Sequence, residues 1–229
     1  CTDKWERSFW REPVIKTGSP RCDILINERD IQYRKIREEF NLKPDSKIVL
    51  YAPTFRGGSQ NKKREVFAEE FTIDFNLLRQ SLHQKFGGEW YIFVRLHPQL
   101  SLRMQKAKFS KSEYIIDISY KDDLYEYLAA VDVAVTDYSS VAFDAAYMKI
   151  PVFLYVDDYD EYVEDRGELL WKYDEIPFSI AISNKELSEK IIDFKYDNYR
   201  KKLEHTFENM GLLEDGNATE RVINIIKNT

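Results

Sequence analysis

Four short apolar runs set the pattern of this chain: 47–55 (KIVLYAPTF), 90–96 (WYIFVRL), 131–136 (VDVAVT) and 152–156 (VFLYV). They are short for helices, and most of them lack the in–out alternation of a strand with one wet face. Segments of helical period lie between them. In 74–86, for instance, Phe75, Leu77, Leu78, Leu82 and Phe86 fall on one stripe. Strands apolar on both sides must be covered on both sides, and intervening helices supply that cover. The expected fold is therefore α/β, a Rossmann-like, mostly parallel sheet with helices on both faces.

The remaining elements follow the same alternation. Residues 1–45 form a lead-in segment and a first helix, 27–41, with Asn27 as its N-cap, and Pro44-Asp45 ends it. The main domain, 46–229, adds a strand near 113–119, helices near 122–130 and 139–149, and three helices at 184–194, 197–210 and 217–227. Residues 157–175 (DDYDEYVEDRGELLWKYDE) read as an acidic, aromatic loop.

Composition removes several function classes. Lys+Arg 34 against Asp+Glu 40 gives a net charge of −6, which argues against a partner such as nucleic acid held by bulk charge. The two cysteines, Cys1 and Cys22, form neither a metal-ligand spacing nor a CxxC pair, so a disulfide framework is not expected. Apolar runs fall well short of the roughly 18 residues that span a bilayer. A start at Cys1 rather than Met is expected of a piece of a longer protein.

In open α/β sheets ligands bind beyond the carboxyl ends of the strands. Three such ends carry capable chemistry: Pro53, Thr54 and Arg56; then Arg95, Leu96, His97 and Pro98; then Asp137, Ser139, Ser140 and Asp144. A helix that starts near Ser139 and Ser140 presents free N–H groups that favour an anion, which suits a phosphate-bearing ligand. Each residue also has a plain structural use. The serines can be N-caps, Asp137 a cap or turn residue, Asp144 a solvated helix charge and Arg56 a solvated loop residue. His83 and His205 read as surface positions on helices. Asp158-Tyr159-Asp160 matches a metal–nucleotide DxD pattern, but in so acidic a stretch a solvated face is the expected reading. No GxGxxG, Walker loop or Gly-x-Ser-x-Gly elbow is present.

Five segments taken together, 17–23 (TGSPRCD), 51–56 (YAPTFR), 95–98 (RLHP), 136–144 (TDYSSVAFD) and 215–221 (DGNATER), resemble the CDP-glycerol glycerophosphotransferases, the teichoic acid primases and polymerases of bacterial cell walls. The resemblance implies the C-terminal, donor-binding half of a GT-B-type fold, with 46–229 as the nucleotide-binding domain. By motif, it implies that Arg21 contacts the donor and that Pro53 and Thr54 line the nucleotide pocket. Arg95, Leu96 and His97 would approach the ribose–pyrophosphate region, with His97 catalytic. Ser139 and Ser140 would bind phosphates, and Asp144 a donor hydroxyl. Cys22 stands where the family more often has Asn. The family's N-terminal His-Gly motif is absent, so the acceptor proton is expected to be removed by a domain outside this chain.

The implied partners are a CDP-alditol donor, a polymer or glycolipid acceptor and that acceptor domain; a homo-oligomer stays open. No metal or other cofactor is implied, and the implied location is cytoplasmic, peripheral at the inner face of the membrane. Two other readings remain: a GT-B glycosyltransferase using a nucleotide-sugar, and a non-catalytic nucleotide-binding module.

Overall fold

The computed structural model describes residues 15–54, 72–96, 112–167, 175–212 and 214–228. Six strands form one sheet: β1 (Lys47–Ala52), β2 (Trp90–Val94), β3 (Ile115–Asp117), β4 (Val133–Thr136), β5 (Val152–Tyr155) and β6 (Ser179–Ala181). Their order is β3-β2-β1-β4-β5-β6, and every pairing is parallel. The chain leaves β1 through β2 to β3, then returns to β4 on the other side of β1 and continues outward. The reversal makes the β1/β4 junction the switch point, the place where open α/β sheets form their ligand crevice beyond the strand ends. β4 and β5 are buried at every residue, and β1 at all but its first, as the unbroken apolar runs require.

The helices among the described residues are α1 (Asp23–Asn27), α2 (Arg29–Glu39), α3 (Phe75–Phe86), α4 (Leu124–Leu128), α5 (Val141–Tyr147), α6 (Tyr159–Arg166), α7 (Asn184–Ile192), α8 (Tyr196–Met210) and α9 (Ala218–Asn228). Several start where the sequence supplies a cap. Asp74 accepts from the N–H groups of Asn76 and Leu77, Asp123 from Tyr125, and Ser183 from Glu186. Odd spacing along a strand puts side chains on opposite faces. Accordingly Trp90 meets Phe86 of α3 at 6.0 Å between ring centres, while Phe93 meets Phe40, just after α2, at 5.1 Å. The sheet is thus covered on both sides.

The last segment of the chain is fastened to the first described one. Asp23 accepts from the backbone N–H groups of Ala218 (3.0 Å) and Thr219 (2.8 Å), which caps α9 from a distance. Glu214 accepts from the N–H of Ser19 at 2.9 and 3.1 Å. Asn27 donates to the carbonyl of Gly216 at 2.7 Å.

Three details differ from the sequence reading. Asn27 closes α1 and binds Gly216, rather than capping a helix that begins there. The acidic stretch 157–175 contains α6. The edge strand β6, only three residues long, was not anticipated.

Candidate functional site

The crevice is built from the ends of β1 and β4. At the last rung, the Thr136 hydroxyl donates to the carbonyl of Ala52 at 2.6 Å. One step beyond, Asp137 receives the backbone N–H of Thr54 at 2.9 and 2.8 Å and its hydroxyl at 3.1 Å. Asp137 is 3% exposed, so this carboxylate is a structural clasp across the switch point rather than a rim charge. It holds half-buried Pro53 and Thr54 opposite the turn that carries Ser139 and Ser140.

That turn leads into α5. Ser139 is half-buried and its Oγ accepts from the N–H of Val141 at 3.3 Å. Ser140 is exposed; its carbonyl starts the helix by accepting from Phe143 (3.0 Å) and Asp144 (3.3 Å), and its side chain makes no capping bond. Of the two hydroxyls, Ser139's is partly used locally and Ser140's faces solvent.

Asp144, in the first turn of α5, is not a solvated helix charge. It is 5% exposed and gathers three donors: the Tyr125 hydroxyl at 2.6 Å, Arg21 Nη2 at 3.2 and 3.5 Å, and the Cys22 thiol at 3.5 Å. Arg21 also lies 5.6 Å from the centre of the Tyr125 ring. These contacts shift the donors. Burial, followed by the Asp144 carboxylate, pushes both the Tyr125 phenol and the Cys22 thiol far above their usual ranges, so both stay protonated. Burial pulls the Arg21 guanidinium down, but the surrounding groups, Asp144 first among them, together outweigh it and the net direction is up. The cation is permanent.

On the other side of β1, Arg95 is half-buried and its Nη1 donates to the carbonyl of Ile118 at 2.9 Å and to that of Lys121. It therefore ties down the turn after β3, and burial lowers its pKa from the usual guanidinium value. Leu96 is 1% exposed, so its side chain belongs to the core; its N–H donates to Ser119 Oγ at 2.8 Å. His97, Pro98 and Arg56 lie outside the described residues. His83 and His205 are exposed, bonded to Gly88 and Asn209 respectively. Asp158 of the DxD pattern accepts from the Tyr138 hydroxyl at 2.9 Å, and Tyr138 stacks on Tyr162 at 3.6 Å.

The structure thus unites Pro53 and Thr54 with the Ser139–Ser140 turn, and Arg21 with Asp144. Tyr125 escaped the sequence reading, since nothing local marks a tyrosine just after a helix cap as the partner of an acid on another helix.

Comparison with known proteins agrees with this architecture. The family described as "CDP-Glycerol:Poly(glycerophosphate) glycerophosphotransferase" matches residues 1–228. The teichoic acid poly(glycerol phosphate) polymerase of Staphylococcus epidermidis is 28% identical over 98% of this chain and 31% of its own length. The teichoic acid glycerol-phosphate primase of Bacillus subtilis is 31% identical over 94% of this chain and 51% of its own. The teichoic acid poly(ribitol-phosphate) polymerase of Bacillus spizizenii is 30% identical, covering 94% and 33%. The chain therefore spans 31% to 51% of the length of these relatives. The solved wall teichoic acid polymerase TagF superposes with a TM-score of 0.77 at 26% identity, over 99% of this chain and 55% of that one. A variant of that polymerase was also solved after soaking with CDPG.

Proposed function

Since the chain belongs to the CDP-glycerol:poly(glycerophosphate) glycerophosphotransferase family, we propose that it is the donor-binding part of a transferase that moves an alditol phosphate from a CDP-alditol to a hydroxyl of a teichoic-acid-like polymer. The observation that carries this reading is the crevice at the β1/β4 switch point. There Asp137 joins Thr54 to the turn bearing Ser139 and Ser140, with Arg21 fixed one helical turn further on by Asp144. Such a crevice, edged by a helix start and a permanent cation, suits the pyrophosphate of a nucleotide.

In the proposed reaction the acceptor oxygen attacks the β-phosphorus. The bond from that phosphorus to the bridging oxygen breaks, and CMP leaves with the electron pair while the acceptor proton passes to a base. The chain's task is to position the donor and to stabilise charge on the departing phosphate. Ser139, Ser140 and Arg21 would meet the phosphates, Pro53 and Thr54 the nucleoside side, and His97 the phosphate undergoing transfer. Arg95 would shape the pocket wall through its bonds to the Ile118 and Lys121 carbonyls. The base would come from the part of the full-length protein that its relatives carry beyond this match. No described helix is long and apolar enough to cross a membrane; the reading places the enzyme peripherally, at the inner face where the polymer is anchored.

Calorimetric titration of the chain with CDP-glycerol, CMP and UDP-sugars tests the reading. Binding of the cytidine ligands and at least tenfold weaker binding of the UDP-sugars is expected; equal or reversed preference would overturn it.

A further inference from the structure

Asp144 and Tyr125 together suggest a role that neither residue's position along the chain announces. We infer that Tyr125 is a positioning residue of the donor site: through Asp144 it aims the Arg21 guanidinium at the phosphates of the bound nucleotide. This rests on the donor-binding reading given above.

A buried ion pair hides both partners and a surface pair exposes both. Here the acid's side chain is 7% exposed and the arginine's is 54% exposed. The pair is therefore buried at one end and open at the other, and the open end is the cation. An ionised carboxylate has about four lone-pair sites, and Asp144 already receives Tyr125, Arg21 and Cys22. Little remains of it for a ligand hydroxyl.

The shortest of the three contacts is the phenol's. At 2.6 Å it lies in the range of charge-assisted O–H···O⁻ bonds, and it fixes the rotamer on which Arg21 rests. The ring adds a second hold, 5.6 Å from the guanidinium carbon. Placement agrees. α4 and α5 both begin beyond the carboxyl ends of strands, and Tyr125 and Asp144 sit in their first turns. Two helix starts thus grip one arginine beside the Ser139–Ser140 turn. Glu214 and Asp23 are further acids near this end; the carboxylate of Glu214 is turned to the N–H of Ser19 and that of Asp23 to Ala218 and Thr219. Their presence keeps the expected gain from Arg21 moderate.

The test is a double-mutant cycle read by calorimetry with two probes, CDP and cytidine, on the full chain. Arg21→Ala should weaken CDP by about tenfold, as loss of a charge-assisted bond does, and leave cytidine within twofold. Tyr125→Phe keeps the ring and removes only the hydroxyl. It should weaken CDP about three- to fivefold, leave cytidine unchanged, and add nothing in the Arg21→Ala background. Asp144→Asn should give the same CDP-only loss, and it decides the matter if Tyr125→Phe does not fold. Equal loss of CDP and cytidine, full CDP binding by Tyr125→Phe, or a loss that persists without Arg21 would each overturn the inference while the donor-binding reading stands. Wild-type chain that binds neither probe would overturn both.

Discussion

The carboxylate of Asp137 receives both polar hydrogens of Thr54, backbone and side chain, across the junction where the sheet reverses its order. β1 and β4 are already paired by a ladder, so the clasp adds nothing to the sheet itself. It fixes the first residues after the strands, which form the crevice wall. Asp137→Ala leaves a half-buried N–H and hydroxyl without their acceptor, and should cost about 2–3 kcal/mol in urea unfolding. Asp137→Asn keeps one acceptor and should cost roughly half of that. Identical midpoints for wild type and Asp137→Ala would show that water replaces the clasp without loss.

Ser140 and Ser139 should separate on substitution. Ser140→Ala removes an exposed hydroxyl that caps nothing, so stability should stay within about 0.5 kcal/mol. CDP affinity should nevertheless fall several-fold. Ser139→Ala removes the acceptor for the Val141 N–H and should show a stability loss of about 0.5–1 kcal/mol as well. Unchanged CDP affinity in both variants would remove the turn from the phosphate site.

The distant cap on α9 makes a prediction about acid. Burial alone would raise the Asp23 pKa, but the bonds from Thr219 and Ala218 and the charge of Arg221 outweigh it and the net direction is down. A carboxyl lowered on folding contributes stability that is fully present above its unfolded pKa, about 3.9, and is lost as pH falls through the folded value. Docking of α9 should therefore weaken below about pH 4. Asp23→Ala should cost about 1–2 kcal/mol at neutral pH, while Asp23→Asn keeps much of the cap and lacks this acid step. Hydrogen exchange of the Ala218 and Thr219 amides reads it directly; protection independent of pH between 3 and 6 would contradict it.

Gly216 faces a harder limit. Its φ is +82°, and a Cβ there would stand 2.3 Å from Asn27 Oδ1. Gly216→Ala should cost about 2–3 kcal/mol from strain and crowding combined. Adding Asn27→Ala should recover only the crowding part, since the backbone angle stays unfavourable. Full recovery would mean that the conformation carries no strain.

Much of the fold could be read from the residues because fully buried parallel strands leave long apolar signatures. KIVLYA and WYIFV announce β1 and β2 with little ambiguity, and the capped helices after Asp74 and Ser183 follow known local chemistry. The segment Ser179–Ala181 did not announce β6, since three residues at a sheet edge, two of them half-covered, carry no period. Asp158 to Arg166 looked like a solvated acidic loop because its charges hide a helix that is only weakly amphipathic.

At the site, the strand ends were found by position alone, whereas the partners were not. Asp137 looked like a turn residue because Thr54 lies 83 positions away. Asp144 reads in the sequence as a ligand for a donor hydroxyl or a solvated charge because its neighbours Tyr125 and Arg21 come from two distant segments of the chain. Periodicity reports which way a side chain faces, not what it meets.

Arg21 is bracketed by Ser19, held by Glu214, and Asp23, held to the start of α9. A ribosome emits these two regions some 195 residues apart. The sheet, the Asp137 clasp and the serine turn can all form while the 214–219 stretch is still being made. Asp144 can hold the guanidinium before that stretch arrives, but the backbone on either side of Arg21 is fastened only afterwards. A nascent chain can therefore complete its sheet and its Arg21–Asp144 pair first, and clamp the segment that carries the arginine only when residues 214–219 have emerged.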